Sequence, residues 1–159
     1  MKLYHGSNVA VQEPQILASD RKLDFGTGFY LTSSLEQAER WAELTAQRRG
    51  NGKPVISVYE FDEKKLAQLK VIKFEKANKK WLDFVSANRE NCSDTQKCDL
   101  VIGPVANDRT MPVIRLFIAK VYTGAEALRR LLPQKLQNQY TFKTQTALEL
   151  LNFLGVIEK

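Results

Sequence analysis

The sequence predicts an α+β fold, a mainly antiparallel β-sheet with flanking helices, on three observations. Segments of strand character are short and scattered among helical ones without a regular β–α repeat, which argues against a parallel, doubly wound sheet. Val55–Phe61 alternates and is rich in β-formers, as a strand with a buried face should be. The chain has 159 residues, 43% hydrophobic and 26% charged, enough for residues 1–159 to bury the core of a single domain without staples.

The elements follow in chain order. Lys2–His5 reads as a short strand and residues 8–27 mostly as loop, with Pro14 and two glycines. Phe29-Tyr30-Leu31 is a short strand after Gly26-Thr27-Gly28. Ser33 and Ser34 each offer an N-cap, with Glu36 and Gln37 three residues on. Leu35, Ala38, Trp41, Ala42 and Thr45 then mark one face of a helix over 34–49, ended by Gly50-Asn51-Gly52. Glu63–Leu69 is a short helix, Val71–Phe74 a short strand, and Asn78–Arg89 a helix carrying Trp81, Leu82 and Val85. Leu100-Val101-Ile102 is a buried strand, followed by a turn at Asn107 and Asp108. Pro112–Tyr122 is apolar throughout and reads as helix on length; Ala125–Leu132 is a helix stopped by Pro133. Gln139–Lys143 is a strand, Thr144–Phe153 a capped helix, and Val156–Ile157 a last strand.

Composition narrows the function. The net charge is +6, which favours an anionic partner such as a nucleotide, a nucleic acid or an acidic protein. Two cysteines, Cys92 and Cys98, make neither a disulfide framework nor a zinc pattern, and no metal is expected. No apolar run approaches a membrane span and the N-terminus lacks a signal-peptide pattern, so the expectation is a cytoplasmic protein with no membrane partner. With one histidine, His-based metal clusters are absent, and no Gly-x-Ser-x-Gly elbow or phosphate loop occurs. Gly26-Thr27-Gly28 precedes a strand rather than a helix, unlike a Rossmann fingerprint.

Three segments have chemical potential. In Leu3-Tyr4-His5-Gly6-Ser7, glycine lets a flat ring or amide lie against the backbone, whose N–H and C=O can read a carboxamide; His5 and Ser7 add groups for ribose hydroxyls. In Gly26–Thr32, two glycines lead into a strand that presents Tyr30. Trp41, on the next helix, could complete an aromatic sandwich or belong to the core. In Asn138–Phe142, Gln139 and Thr141 share one strand face and Tyr140 and Phe142 the other. Asp24 and Asp108 read as turn formers, with a role as base for an acceptor as the alternative. Lys64, Lys65, Lys70, Lys73, Lys76, Lys79 and Lys80 read as a solvated face, or else as phosphate contacts for a nucleic acid.

These segments, in this order, resemble the three motifs of the diphtheria-toxin-like and poly(ADP-ribose) polymerase-like ADP-ribosyltransferases. Leu3–Ser7 is similar to the first-strand motif, Gly26–Thr32 to the second, and Asn138-Gln139-Tyr140 to the third, Asn-Glu-Tyr. The resemblance implies the split, mainly antiparallel sheet of that superfamily. It implies NAD as substrate, consumed without a metal in mono-ADP-ribosyl transfer to a protein or nucleic-acid acceptor. His5 would bond the adenosine ribose, Gly6 would hold the nicotinamide carboxamide with Ser7 beside it, and Tyr30 would stack on the nicotinamide ring. Trp41, eleven residues after Tyr30, takes the second stacking position, and Gln139 that of the catalytic glutamate. The superfamily's small bacterial members include suspected toxins paired with antitoxins, which adds a toxin or effector role and a cognate antitoxin to the expectations.

The pattern departs at two positions. Ala38 stands where polymerase-like members carry a serine that bonds the carboxamide. Gln139 keeps an acceptor but not the charge of glutamate, and charge-assisted hydrogen bonds are roughly twice as strong as neutral ones. That argues against polymer elongation and leaves transfer of a single ADP-ribose. NAD hydrolysis in the same cleft, or a catalytically inactive module that binds a nucleotide or partner, are the alternatives.

Overall fold

The computed structural model describes residues 1–18, 21–91 and 97–158. Its strands are β1 (Lys2–Ser7), β2 (Phe29–Thr32), β3 (Val55–Phe61), β4 (Val71–Lys73), β5 (Leu100–Pro104), β6 (Asn138–Phe142) and β7 (Leu151–Glu158). Its helices are α1 (Leu35–Arg49), α2 (Lys79–Asn91), α3 (Met111–Ile118), α4 (Gly124–Leu131) and α5 (Gln145–Leu148), with a 3-10 turn at Glu63–Gln68. The strands form one sheet in the order β4-β5-β6-β2-β1-β3-β7, and every neighbouring pair is antiparallel except β4 with β5. This is the expected α+β class. No helix among the described residues is long and apolar enough to cross a membrane.

Local chemistry sets the ends of α1. Ser34, not Ser33, is the N-cap, its hydroxyl accepting the Gln37 amide at 3.2 Å, and Gly50 ends the helix at φ 66° while donating to the Ala46 carbonyl. The buried face is built from alanines: Ala38 and Ala42 pack on Ile56 and Tyr4. Small residues let the helix approach β1 so closely that a Cβ on Gly6 would sit 2.0 Å from the Ala38 carbonyl oxygen and 2.7 Å from the Ala42 nitrogen. Both are backbone atoms and cannot swing aside. Gly6→Ala is therefore expected to lower stability by about 1–3 kcal/mol through overpacking, read as a lower urea midpoint with unchanged slope.

The sheet separates two larger cores. On the α1 face, Phe25, Phe74, Trp81, Leu82, Val85, Val101, Ile114 and Leu131 pack beneath α2, α3 and α4. On the other, Leu3, Phe29, Leu31, Tyr59, Phe61, Leu100, Phe142 and Leu148 form a core rich in edge-to-face aromatic pairs. Trp81, at the edge of the lysine-rich stretch, is fully buried and donates through Nε1 to the Pro104 carbonyl at 2.9 Å.

Two expectations are overturned. The helix expected over Thr144–Phe153 is one turn, Gln145–Leu148, capped by the Thr144 hydroxyl; from Leu151 the chain is strand, paired with β3 from Leu151 opposite Phe61 to Glu158 opposite Val55. The apolar run suits either structure, and the edge of β3 decides for strand by offering hydrogen-bond partners. The helix expected to reach Tyr122 stops at Ile118, because Lys120 turns to φ 60° and Thr123 caps α4. Cys98 is buried, and Cys92 lies outside the described residues.

The feature that positions a site is an opening between β1 and β2. β1 pairs with β3 along its whole length but registers with β2 only at Tyr4 opposite Thr32. β2 instead pairs fully with β6, Tyr30 opposite Thr141 and Thr32 opposite Gln139. Gly28 permits this approach, since a Cβ there would meet Thr141 Cγ2 at 2.6 Å and the Phe142 carbonyl oxygen at 2.8 Å. Beyond Tyr4, the two central strands diverge.

Candidate active site

The divergence is lined by side chains from both strands, by α1 above and by β6 behind. The resulting cleft, of about 390 Å³, brings together all six residues singled out in the sequence: His5, Gly6, Ser7, Tyr30, Trp41 and Gln139. That volume lies within the range of small-molecule and cofactor sites. The three segments converge because sheet order places β1, β2 and β6 side by side, although β6 lies more than a hundred residues downstream.

His5 fills the start of the opening. Its ring stacks on Phe29 at a centroid distance of 4.3 Å, and its Nδ1 bonds the Tyr30 carbonyl at 2.8 Å. A carbonyl only accepts, so Nδ1 carries the proton; in the neutral ring, Nε2 is left as an acceptor. The Tyr30 hydroxyl donates to the Gly26 carbonyl at 2.6 Å and accepts the Phe25 amide at 3.0 Å, tying the glycine loop to the strand it feeds. Ser7 is buried beside Asn8. Trp41, read as either core or sandwich, is half-buried on the cleft side of α1, while Ala38 and Ala42 make the helix's dry contact. Gln139 and Thr141 are buried on the Tyr30 face of the sheet, opposite Phe142, as strand alternation requires.

Burial holds the His5 pKa below its ordinary value, outweighing the hydrogen bond to Tyr30 that raises it. Below about pH 6.5 the unfolded chain takes up a proton that the native ring refuses, so stability falls with pH. Since the chain has one histidine, the effect can be isolated. Wild-type stability should fall between pH 7 and pH 5 by an amount that His5→Gln removes, as urea titrations at both pH values would reveal.

The cleft also has charge that sequence reading missed. Arg21, Arg48, Arg49 and Arg89 line it, with Asp24 as the one carboxylate among the described lining residues. Burial and the nearby charges of Arg21 and Arg49 lower the Arg48 pKa, which marks three guanidinium groups sharing one rim. Arg48 and Arg49 look like ordinary basic residues at a helix C-terminus, and only the fold aims them at the cleft. Asp24 is not merely a turn former. Buried, it pairs with Arg89 at 2.5 Å and accepts from the Ala106 amide at 3.2 Å and from Gln139 Nε2 at 3.4 Å. Asp108, by contrast, is exposed and paired with Arg40. None of the seven lysines of residues 62–80 lines the cleft; Lys73 and Lys79 pair with Glu75 and Asp83 at the surface.

Fold and site together define an α+β domain with a cationic, aromatic-flanked cleft at a break between its central strands. The chain belongs to the family described as protein of unknown function (DUF3990), whose model matches residues 1–153 and so spans every element of the cleft. No curated protein and no solved structure gives a match.

Proposed function

We propose that the chain binds NAD in the β1–β2 cleft and transfers its ADP-ribose to a protein or nucleic-acid acceptor. One observation carries the reading: His5, Gly6, Ser7, Tyr30, Trp41 and Gln139, which resemble the ADP-ribosyltransferase motifs, line a single cavity with an arginine rim. In this reading Tyr30 and Trp41 flank the nicotinamide, the Gly6 backbone holds its carboxamide, and His5 Nε2 accepts from the adenosine ribose. The rim of Arg21, Arg48 and Arg49 takes the pyrophosphate, since guanidinium groups match phosphate geometry.

The reaction breaks the bond between the ribose C1 and the nicotinamide nitrogen, with the electron pair leaving on nicotinamide. The ribose passes through an oxocarbenium-like state, and the acceptor adds at C1 as it loses its proton. Fixing the leaving group against the backbone while the ribose distorts favours that state over the bound substrate. Cytoplasmic location fits a protein that draws on cellular NAD, and a role as toxin or effector with a cognate antitoxin is consistent with the bacterial members it resembles.

The test incubates the purified chain with adenylate-labelled NAD and cell extract. Free nicotinamide and labelled macromolecules are the expected products. Nicotinamide without macromolecular label would indicate hydrolysis, and NAD left intact would overturn both enzymatic readings. Arg48→Ala/Arg49→Ala is expected to weaken NAD binding roughly tenfold to a hundredfold, with a shallower salt dependence by calorimetry, because charged hydrogen bonds contribute about 1.5–3 kcal/mol each before solvent screening.

A further inference from the structure

Gln139 is neutral, yet it sits against a buried negative charge. Asp24 Oδ2 receives its side-chain nitrogen at 3.4 Å, long for such a bond, while Oδ1 is held by Arg89 Nε at 2.7 Å. The Ala106 amide, at 3.2 Å from Oδ2, fixes the carboxylate from the β5 side, and Asn88 Nδ2 holds the Asp24 backbone carbonyl at 3.3 Å. Asp24 is therefore immobilised from two elements before it meets Gln139. An ionised carboxylate only accepts, so the glutamine must turn its NH₂ toward it, which settles the amide's orientation. The oxygen Oε1 has no partner among the described residues. Gln139 lines the cleft, and with its nitrogen turned to Asp24 the oxygen is the side-chain polar atom left for a ligand there.

We propose that Asp24 is the positioning residue of this site: it holds the Gln139 amide nitrogen so that Oε1 is offered to the cleft, and it keeps the site's negative charge one side chain behind the acceptor. The inference rests on the NAD reading above and refines it. Oε1 becomes the acceptor for a ribose hydroxyl, polarised by the carboxylate behind its amide. The chain thus keeps charge near the reacting ribose although its third motif has lost the glutamate. The same arrangement makes Gln139→Glu unfavourable by itself. Two carboxylates would then face each other, with Arg21, Arg48, Arg49 and Arg89 as the surrounding cations and His5 and Tyr30 as the other titratable lining groups.

The test is a charge swap across the pair, read by nicotinamide release and by carbon NMR of the side-chain carboxyl at position 139. Asp24→Asn is expected to lower kcat at least tenfold with KM for NAD little changed, and Gln139→Glu to lower it as well. The double variant, an amide facing a carboxylate in reverse order, should exceed either single variant about tenfold. A merely structural Asp24 predicts a double variant no better than Asp24→Asn, and that result overturns the proposal. In Gln139→Glu the new carboxyl should titrate above the ordinary glutamate value near 4.3, and lower by at least one unit once Asp24→Asn is added. Identical titration in the two backgrounds overturns the pairing. A wild-type chain that releases no nicotinamide sinks the NAD reading instead, while the NMR measurement still decides whether Asp24 and position 139 are coupled.

Discussion

Tyr30→Ala is expected to reduce nicotinamide release from NAD about a thousandfold, the largest loss of activity foreseen for any single residue of the cleft. The estimate adds three effects. With NAD bound as proposed, removing the ring forfeits stacking on the nicotinamide, ~0.5–1.5 kcal/mol, and the burial of the ring against it, ~1.5–3 kcal/mol. Removing the hydroxyl unties the glycine loop at the Phe25 amide and the Gly26 carbonyl, which contributes ~1 kcal/mol more. A sum near 4 kcal/mol is about a thousandfold in rate. Tyr30→Phe separates the terms by keeping the ring and losing only the tie, so its loss should be about fivefold. Steady-state release of labelled nicotinamide measures both. Wild-type rates in Tyr30→Ala would mean that NAD, if consumed, is consumed elsewhere.

Trp81→Ala should have the largest effect on stability, about 3–5 kcal/mol, measured by urea unfolding followed by circular dichroism. The side chain is fully buried among Leu82, Val85, Ile114 and Leu131, and its loss removes the indole donor to the Pro104 carbonyl. Against the ~5–15 kcal/mol of a typical domain, that could leave the chain mostly unfolded at 37 °C. Trp81→Phe fills part of the cavity and should cost about half as much. The effect should also reach the cleft, because Pro104 leads into Val105 and Ala106, whose amide holds Asp24. A destabilisation below 1 kcal/mol would contradict the packing described for α2 on β5.

How much of this could be read without the fold varies with the range of the interaction. The ends of α1 were legible because caps act over a single turn: Ser34 with Gln37, and Gly50 with Ala46. Val55–Phe61 was legible because alternation is local. The run Leu150-Leu151-Asn152-Phe153-Leu154 was not, since it satisfies a helical and an extended pattern alike, and the vacant edge of β3 made the choice. The same division runs through the site. His5, Gly6, Tyr30, Trp41 and Gln139 could be named from short motifs, but their meeting in one cavity depends on β6 lying beside β2.

The sequence by itself determined the α+β class, most helix and strand locations, and the residue types that its three short motifs carry. Only the tertiary structure decided that β1 and β2 part beyond Tyr4, that the arginines of α1 and the loop face the opening, and that Asp24 lies behind Gln139. The reason is physical. Periodicity, caps and turns are set by neighbours within a few residues, whereas a cleft, its field and a buried ion pair arise from strand order and packing between segments remote in the chain.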